Sequence, residues 1–437
     1  MTGGAYTERK VAEFWKWLEK NGVVEQGKTP FRIAEVPEGL GLIATAQINE
    51  RDELFAIPES LLLSVSAAQA SPVRKHLADL PAWIALALFL LHEKAKPESR
   101  WRPYLDLLPE ELDSPFFWED DDLKELEGTQ LLGNVLSYRS FIERTFEESV
   151  RPILESQPQL WPQSVATSDA FSWAFGIVRS RTHPALAGDD IALVPLADLI
   201  NHGNGPYVGA SNQDFWAKKT QITMDYGAEK SNGDLALDYG FVVDGGIGEG
   251  TRDKFQLTLE VPEEDRFVDD KLDVAELYGL GQVCEFSLER GLDPSSQLLA
   301  FIRLIALAGA DAFLLEAIFR DAVLEHVCLP VSRENEESVC ASMIDGLRSS
   351  LSNYETTIEE DVRLLGDIDG DDRATRRKRM AVSARLAEKR VLIEGLDFFE
   401  TRLKDLDRLE YYAERRLKSL GLLDDSGDVT PWDEFQM

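Results

Sequence analysis

Pro195-Leu-Ala-Asp-Leu-Ile-Asn-His202, followed by Asp225-Tyr-Gly227 and Lys230-Ser-Asn-Gly-Asp-Leu-Ala-Leu-Asp-Tyr-Gly-Phe241, is the stretch whose reading decides the fold. It gathers an Asn-His pair, two tyrosines and several turn formers into fewer than fifty positions. A segment with only a packing role seldom needs so many special side chains, and binding groups concentrate on loops held by a rigid scaffold. The stretch reads as a site.

Upstream of it, residues 168–180 predict a helix carrying Phe171, Trp173, Phe175 and Val178, with Ser168 as N-cap. A short strand at Ile191-Ala-Leu-Val194 then leads into the site. Further back, Phe31-Arg-Ile33, Gly39-Leu-Gly-Leu-Ile-Ala44 and Glu53-Leu-Phe-Ala-Ile-Pro58 are short β-prone runs separated by Gly, Pro and polar turn residues. Between these strands and the site, from about residue 67 to 165, the pattern turns helical, with Leu86, Phe89 and Leu90 on one stripe. This block reads as an insertion. After about residue 260 broad apolar helical faces take over, and residues 373–420 read as almost continuous helix. Leu392, Leu396, Phe399, Leu403 and Leu406 alternate spacings of four and three there, a core or coiled-coil seam.

Composition narrows the chemistry. The 437 residues give a prior of two or three domains. With 79 acidic against 46 basic residues, net −33, the chain lacks the clustered cations that grip phosphate backbones. A basic partner or a solvated acidic surface fits better. Only Cys284, Cys328 and Cys340 occur, which gives neither a zinc framework nor a disulfide scaffold, and the five histidines have no ligand spacing. No metal is expected. Trp83-Ile-Ala-Leu-Ala-Leu-Phe-Leu-Leu91, the most apolar run, is about half the roughly 20 residues that span a bilayer, and the first residues carry no signal core.

Three local patterns carry less than they suggest. Asp367-Ile-Asp-Gly-Asp-Asp372 starts like a calcium loop, but Asp372 stands where the turn glycine belongs and Lys378 where a bidentate Glu is required. Gly39-Leu-Gly41 is half of a dinucleotide fingerprint without its third glycine or a βαβ setting. Arg376-Arg-Lys-Arg379 reads as a solvated charged turn on a helix face and not as a nucleic-acid patch.

Glu38-Gly-Leu-Gly-Leu-Ile-Ala44, Arg179-Ser-Arg181, Pro195 to His202, Asp225-Tyr226 and Asp238-Tyr-Gly-Phe241 follow one another in the order used by SET-domain methyltransferases, and the chain resembles them. Leu107-Leu-Pro109, Gly128-Thr-Gln-Leu-Leu132, Trp173-Ala-Phe-Gly176, Asp311-Ala-Phe-Leu-Leu-Glu316, Leu329-Pro-Val-Ser-Arg333 and Leu409-Glu-Tyr-Tyr-Ala-Glu-Arg-Arg416 extend the likeness. Along nearly its whole length the sequence is similar to the plastid Rubisco large-subunit lysine methyltransferase family.

The resemblance implies an α+β chain: a β-rich SET domain over residues 1–260 with a helical insertion at about 67–165, then an all-α substrate-binding domain over 261–437. It implies an S-adenosylmethionine-dependent protein-lysine N-methyltransferase of the chloroplast stroma, acting on the Rubisco large subunit or fructose-bisphosphate aldolase. It assigns the cofactor to Glu38, Gly39, Leu40, Ser180, Arg181, Asp198, Asn201, His202 and Tyr226. The substrate falls to Arg181, Asp198, Tyr239 and Phe241, and catalysis to Tyr226 and Tyr239. One departure stands out. The family carries a longer segment between the Asn-His motif and the tyrosine, whereas residues 203–220 are short and polar here, with Phe215 and Trp216 as candidates to rebuild the channel wall. Histidine methylation, as in related actin-modifying enzymes, and a catalytically silent scaffold are the alternative readings.

Overall fold

A computed structural model describes residues 3–25, 27–183, 190–203, 221–227, 229–243, 252–316, 322–370, 372–424 and 426–427. The chain divides into two compact units. The first comprises residues 1–119, 133–241 and 248–251; the second comprises 120–132, 242–247 and 252–437. Residues 120–132, in the stretch expected to be an insertion, thus group with the second unit.

In the first unit β1 (Phe31–Val36) and β2 (Gly39–Ala44) form an antiparallel hairpin whose register runs from Phe31 opposite Ala44 to Val36 opposite Gly39. Pro37 and Glu38 make its turn, and Gly39 takes φ +117°, a backbone region closed to most side chains. β3 (Leu63–Ser64), β4 (Thr182–His183) and β5 (Ala192–Leu193) form a second sheet in the order β3-β5-β4. β6 (Asn201–His202) and β7 (Gln221–Met224) complete the first sheet, in the order β1-β2-β7-β6. Here β2 and β7 run antiparallel, whereas β6 and β7 are parallel.

The strands are short, so helices supply the core. In helix Ala82–Ala95 every residue from Ile84 to Glu93 is buried, and Trp161 and Phe171 are buried in the same cluster. Each large apolar side chain removed from water there contributes about 1.5–3 kcal/mol. Trp161 Nε1 donates to the Leu88 carbonyl at 2.9 Å, so even the polar edge of the indole is satisfied. Helix Ser168–Arg181 forms over the expected residues, but its N-cap is Thr167, whose hydroxyl accepts from Ala170 N–H. That places the cap one residue before the expected Ser168.

The second unit is helical, as expected, with one hairpin the sequence reading passed over. β8 (Lys254–Glu260) and β9 (Val283–Glu289) pair antiparallel over seven residues each. Phe255, Leu288, Leu298, Phe301, Leu347, Leu392 and Phe399 share the core of this unit. The seam residues Leu392, Phe399 and Leu406 are all buried, so the four-three repeat is a core seam. The continuous helix expected over 373–420 is broken: Arg373–Lys404 is one helix, Leu406–Arg408 a single tight turn, and Tyr412–Ser419 a separate helix.

The basic run differs from its expected solvated turn. Arg376 to Arg379 lie in the first turns of helix Arg373–Lys404, and Arg377 is buried against Asp122. Nearby, Glu388 accepts from the N–H groups of Gln130 and Leu131, at 2.9 and 3.3 Å, and from the Tyr354 hydroxyl at 2.6 Å. It thereby caps helix Gln130–Thr145 from a distant point in the sequence. Asp361, fully buried, takes Arg385 at 2.9 Å and Lys389 at 2.7 Å. No single helix among the described residues is long and apolar enough to cross a membrane. All three cysteines are free thiols.

Candidate functional site

The sheet order explains how distant motifs meet. β7 lies between β2 and β6, pairing Leu42 with Ile222 on one side and Asn201 with Thr223, and His202 with Met224, on the other. The Gly-rich strand, the Asn-His pair and the Asp225-Tyr226 turn thus occupy one end of one sheet. Two glycines make the approach possible. A Cβ on Gly41 would stand 2.9 Å from Asn201 Nδ2, and one on Gly203 would stand 2.3 Å from Thr223 Oγ1. With Gly41 in place, Asn201 Nδ2 reaches the Leu40 carbonyl at 3.3 Å.

Four rings close the opposite side. Tyr226 and Tyr239 have centroids 4.6 Å apart, and His202 lies 5.4 Å from both Tyr226 and Phe241. Phe241 completes the group at about 6 Å from each tyrosine, 6.1 Å from Tyr226 and 6.0 Å from Tyr239. The sequence builds this return locally. Ser231 and Asp234 form a capping box that starts helix Asn232–Tyr239, and Gly240, at φ +79°, ends it. A Cβ on Gly240 would press the backbone of Asp113 and Ser114, at 2.8–3.0 Å, so the turn that sends Phe241 back to His202 requires glycine.

Hydrogen bonds fix the polar edges. His202 Nδ1 accepts the Tyr226 N–H at 3.2 Å, which leaves the ring proton of the neutral imidazole on Nε2. Tyr226 donates its hydroxyl to the Ile200 carbonyl at 2.9 Å. Burial pushes the Tyr226 phenol up to about 12, and Tyr239 moves in the same direction, again through burial. Both tyrosines therefore stay protonated at neutral pH.

A second cluster lies beside the first. Arg181, at the end of its helix, donates from Nη1 to the Asp198 carbonyl at 3.0 Å and approaches Asp198 Oδ2 at 3.4 Å. The Asp198 carboxylate is wholly enclosed, and burial raises its pKa against the opposing pull of Arg181. Tyr104, itself buried, donates to Asp198 Oδ2 at 2.7 Å. Oδ1 of Asp198 is a buried oxygen with no hydrogen-bond partner. Leu196, two residues earlier, holds φ +75°, a strained conformation for a non-glycine residue that costs on the order of 1–3 kcal/mol.

Most of the residues expected at the site are thus brought together: Leu40, Asn201, His202, Tyr226, Tyr239 and Phe241 in one cluster, Arg181 and Asp198 in the next. Glu38 and Gly39 are exposed on the hairpin turn. Ser180 differs, because its hydroxyl donates back to the Gly176 carbonyl at 2.7 Å within its own helix. Residues 204–220, with Phe215 and Trp216, lie outside the described residues. Tyr104 was not legible as part of this arrangement. Its partner Asp198 is 94 positions away, and nothing local to Trp101-Arg-Pro-Tyr104 announces the pairing.

Small sheets built around an Asn-His strand, with a tyrosine pair at their edge, place the first unit in the SET-domain class. The solved structure of the SET domain of LSMT bound to lysine and AdoHcy has a TM-score of 0.85 at 38% identity, covering 96% of this chain and 97% of that one. A large-subunit N-methyltransferase of ribulose-1,5-bisphosphate carboxylase/oxygenase, chloroplastic, from Nicotiana tabacum is 40% identical over 97% of this chain and 88% of its own length. A chloroplastic fructose-bisphosphate aldolase-lysine N-methyltransferase from Arabidopsis thaliana is also 40% identical, over 97% of this chain and 90% of its own. Residues 262–392 match the Rubisco LSMT substrate-binding family model. The chain belongs to the Rubisco large-subunit methyltransferase family of SET-domain proteins.

Proposed function

We propose that this chain is an S-adenosylmethionine-dependent protein-lysine N-methyltransferase of the chloroplast stroma, acting on the Rubisco large subunit or fructose-bisphosphate aldolase. The observation that carries the reading is the wall formed by Tyr226, Tyr239, His202 and Phe241, with its two tyrosines 4.6 Å apart. The names and coverage of the relatives support the substrate class and the compartment.

The residues fit such a cofactor. Gly41 leaves β2 without a side chain beside Asn201, and Asp198 Oδ1 is a buried acceptor without a partner. The backbone from Glu38 to Leu40 would hold the cofactor, Asn201 and His202 would grip its adenosine portion, and Arg181 would meet the carboxylate. When bound, S-adenosylmethionine supplies an electrophilic sulfonium methyl that a neutral amine takes in line, releasing the thioether. Apart from this, the work falls to the protein's own groups. A free lysine is mostly charged at neutral pH, with a pKa of about 10.4. Aromatic walls strip water from the amine, and burial disfavours its charged form. Tyr226 keeps its proton and has oxygen lone pairs free to accept an N–H, which orients the amine for attack.

Labelled S-adenosylmethionine and a plastid extract test this reading. Label on a lysine of a major stromal protein is the expected result. Label on histidine moves the chain to histidine methylation, and no cofactor binding by calorimetry leaves a scaffold.

A further inference from the structure

We propose that Lys230 is a positioning residue for the acceptor amine: it ties the Tyr226 turn to the Tyr239 helix and sets a fixed cation against the tyrosine wall. This rests on the methyl-transfer reading above. Lys230 N–H donates to the Gly227 carbonyl at 3.0 Å, and its aliphatic stem crosses Gly227. A Cβ on Gly227, which holds φ +143°, would meet Cγ, Cδ and Cε of that stem at 3.3–3.4 Å. At the far end of the side chain, Nζ donates to Asp238 Oδ2 at 2.8 Å and stands 5.5 Å from the Tyr239 ring centroid. One side chain therefore bridges the two elements whose tyrosines face each other at 4.6 Å.

Among the described residues, the charges around it can be followed individually. Asp238 Oδ1 accepts from Arg179 Nε at 2.7 Å, and the Arg179 guanidinium lies 4.2 Å over Tyr138. Asp234, on the same helix as Asp238, is engaged by the Ser231 N–H and hydroxyl in the capping box. Across the tyrosine pair, Tyr226 meets the fields of Arg181 and Asp198, which pair with each other. Lys230 and Arg179 against Asp238 leave one surplus positive charge among the groups that act on the Tyr239 ring, whereas the field of Asp234 falls on Lys230 itself. A like charge disfavours the protonated form of an amine entering the channel. Only the neutral amine carries the free lone pair that methyl transfer needs, so Lys230 selects that form at lower pH.

The pH dependence of kcat, with saturating S-adenosylmethionine and purified aldolase or Rubisco as acceptor, reads this directly. Lys230→Met removes the surplus charge, so the ascending limb moves to higher pH by about half a unit or more. Lys230→Arg keeps the limb in place. Asp238→Asn adds to the positive surplus and moves the limb to lower pH; opposite shifts from neighbouring substitutions do not arise from a general loss of packing. A Lys230→Met enzyme whose kcat falls by the same factor at every pH, or two variants shifting in one direction, overturns the assignment. A wild-type chain that labels no lysine overturns the methyl-transfer reading itself, whereas unshifted limbs in an active enzyme overturn only the role of Lys230.

Discussion

Tyr226 combines a protonated phenol, a hydrogen bond to the Ile200 carbonyl and close contact with three other rings. Replacing it with Phe keeps the ring and removes the oxygen. If the hydroxyl acts chiefly in the transition state, kcat falls by about 10²-fold or more while cofactor affinity changes little. Equal losses in both, measured by turnover and calorimetry, remove Tyr226 from that role. Tyr104→Phe tests the neighbouring cluster. It leaves the enclosed Asp198 carboxylate without its shortest donor, and the expected cost is about 1–3 kcal/mol of stability in denaturant unfolding. An unchanged midpoint would show that Arg181 alone suffices for Asp198. These two tyrosines also mark what single residues disclose in sequence. Tyr226 sits in a motif whose neighbours name it, whereas Tyr104 acquires its role only when the fold brings Asp198 to it.

Among the elements, β6 and β7 hold the site together, and Gly203 shows how closely they approach. Its backbone N–H donates to the Met224 carbonyl at 3.0 Å, extending the parallel ladder past His202. Gly203→Ala would drive a methyl into the Thr223 side chain, so the strands must part or shift. We expect a loss on the order of 1–3 kcal/mol in thermal unfolding together with lost activity, and partial recovery in the double variant with Thr223→Gly. No recovery would place the strain elsewhere. The strands of β1-β2 were legible as two β-prone runs on either side of Pro37-Glu38, whereas the third such run, Glu53 to Pro58, forms no strand. The hairpin β8-β9 was not legible, although Phe255, Leu257 and Leu259 alternate with polar residues. A 22-residue connection that itself contains helix Val268–Leu277 separates its strands, so no short turn signalled the pairing. The breaks after Lys404 were likewise hidden, because the apolar repeat runs on through Leu406 into the tight turn.

At the scale of the molecule, the α+β architecture followed from motif order, while the extent of each unit depended on contacts no linear reading contains. Residues 120–132 join the second unit through Arg377, Arg385 and Glu388, partners more than 250 positions away. Burial raises Glu388 to about 7 from an ordinary carboxylate value. A carboxyl with a raised folded-state pKa contributes stability that is fully present below its unfolded value of about 4.3 and lost as pH rises through about 7. Glu388→Gln should therefore gain on the wild type in unfolding free energy, read from urea titrations between pH 5 and 8, by up to about 3 kcal/mol. A difference that stays constant across that range would rule out Glu388 as the titrating group. The parallel pairing of β6 with β7 has a further consequence for the short segment that precedes Gln221. Both ends of that connection are anchored, Gly203 by its bond to Met224 and Gln221 by its place in β7. The ladder between the two strands therefore fixes the spacing of His202 and Tyr226 by itself, so the register of the site is carried by the paired backbones and not by the chain that joins them.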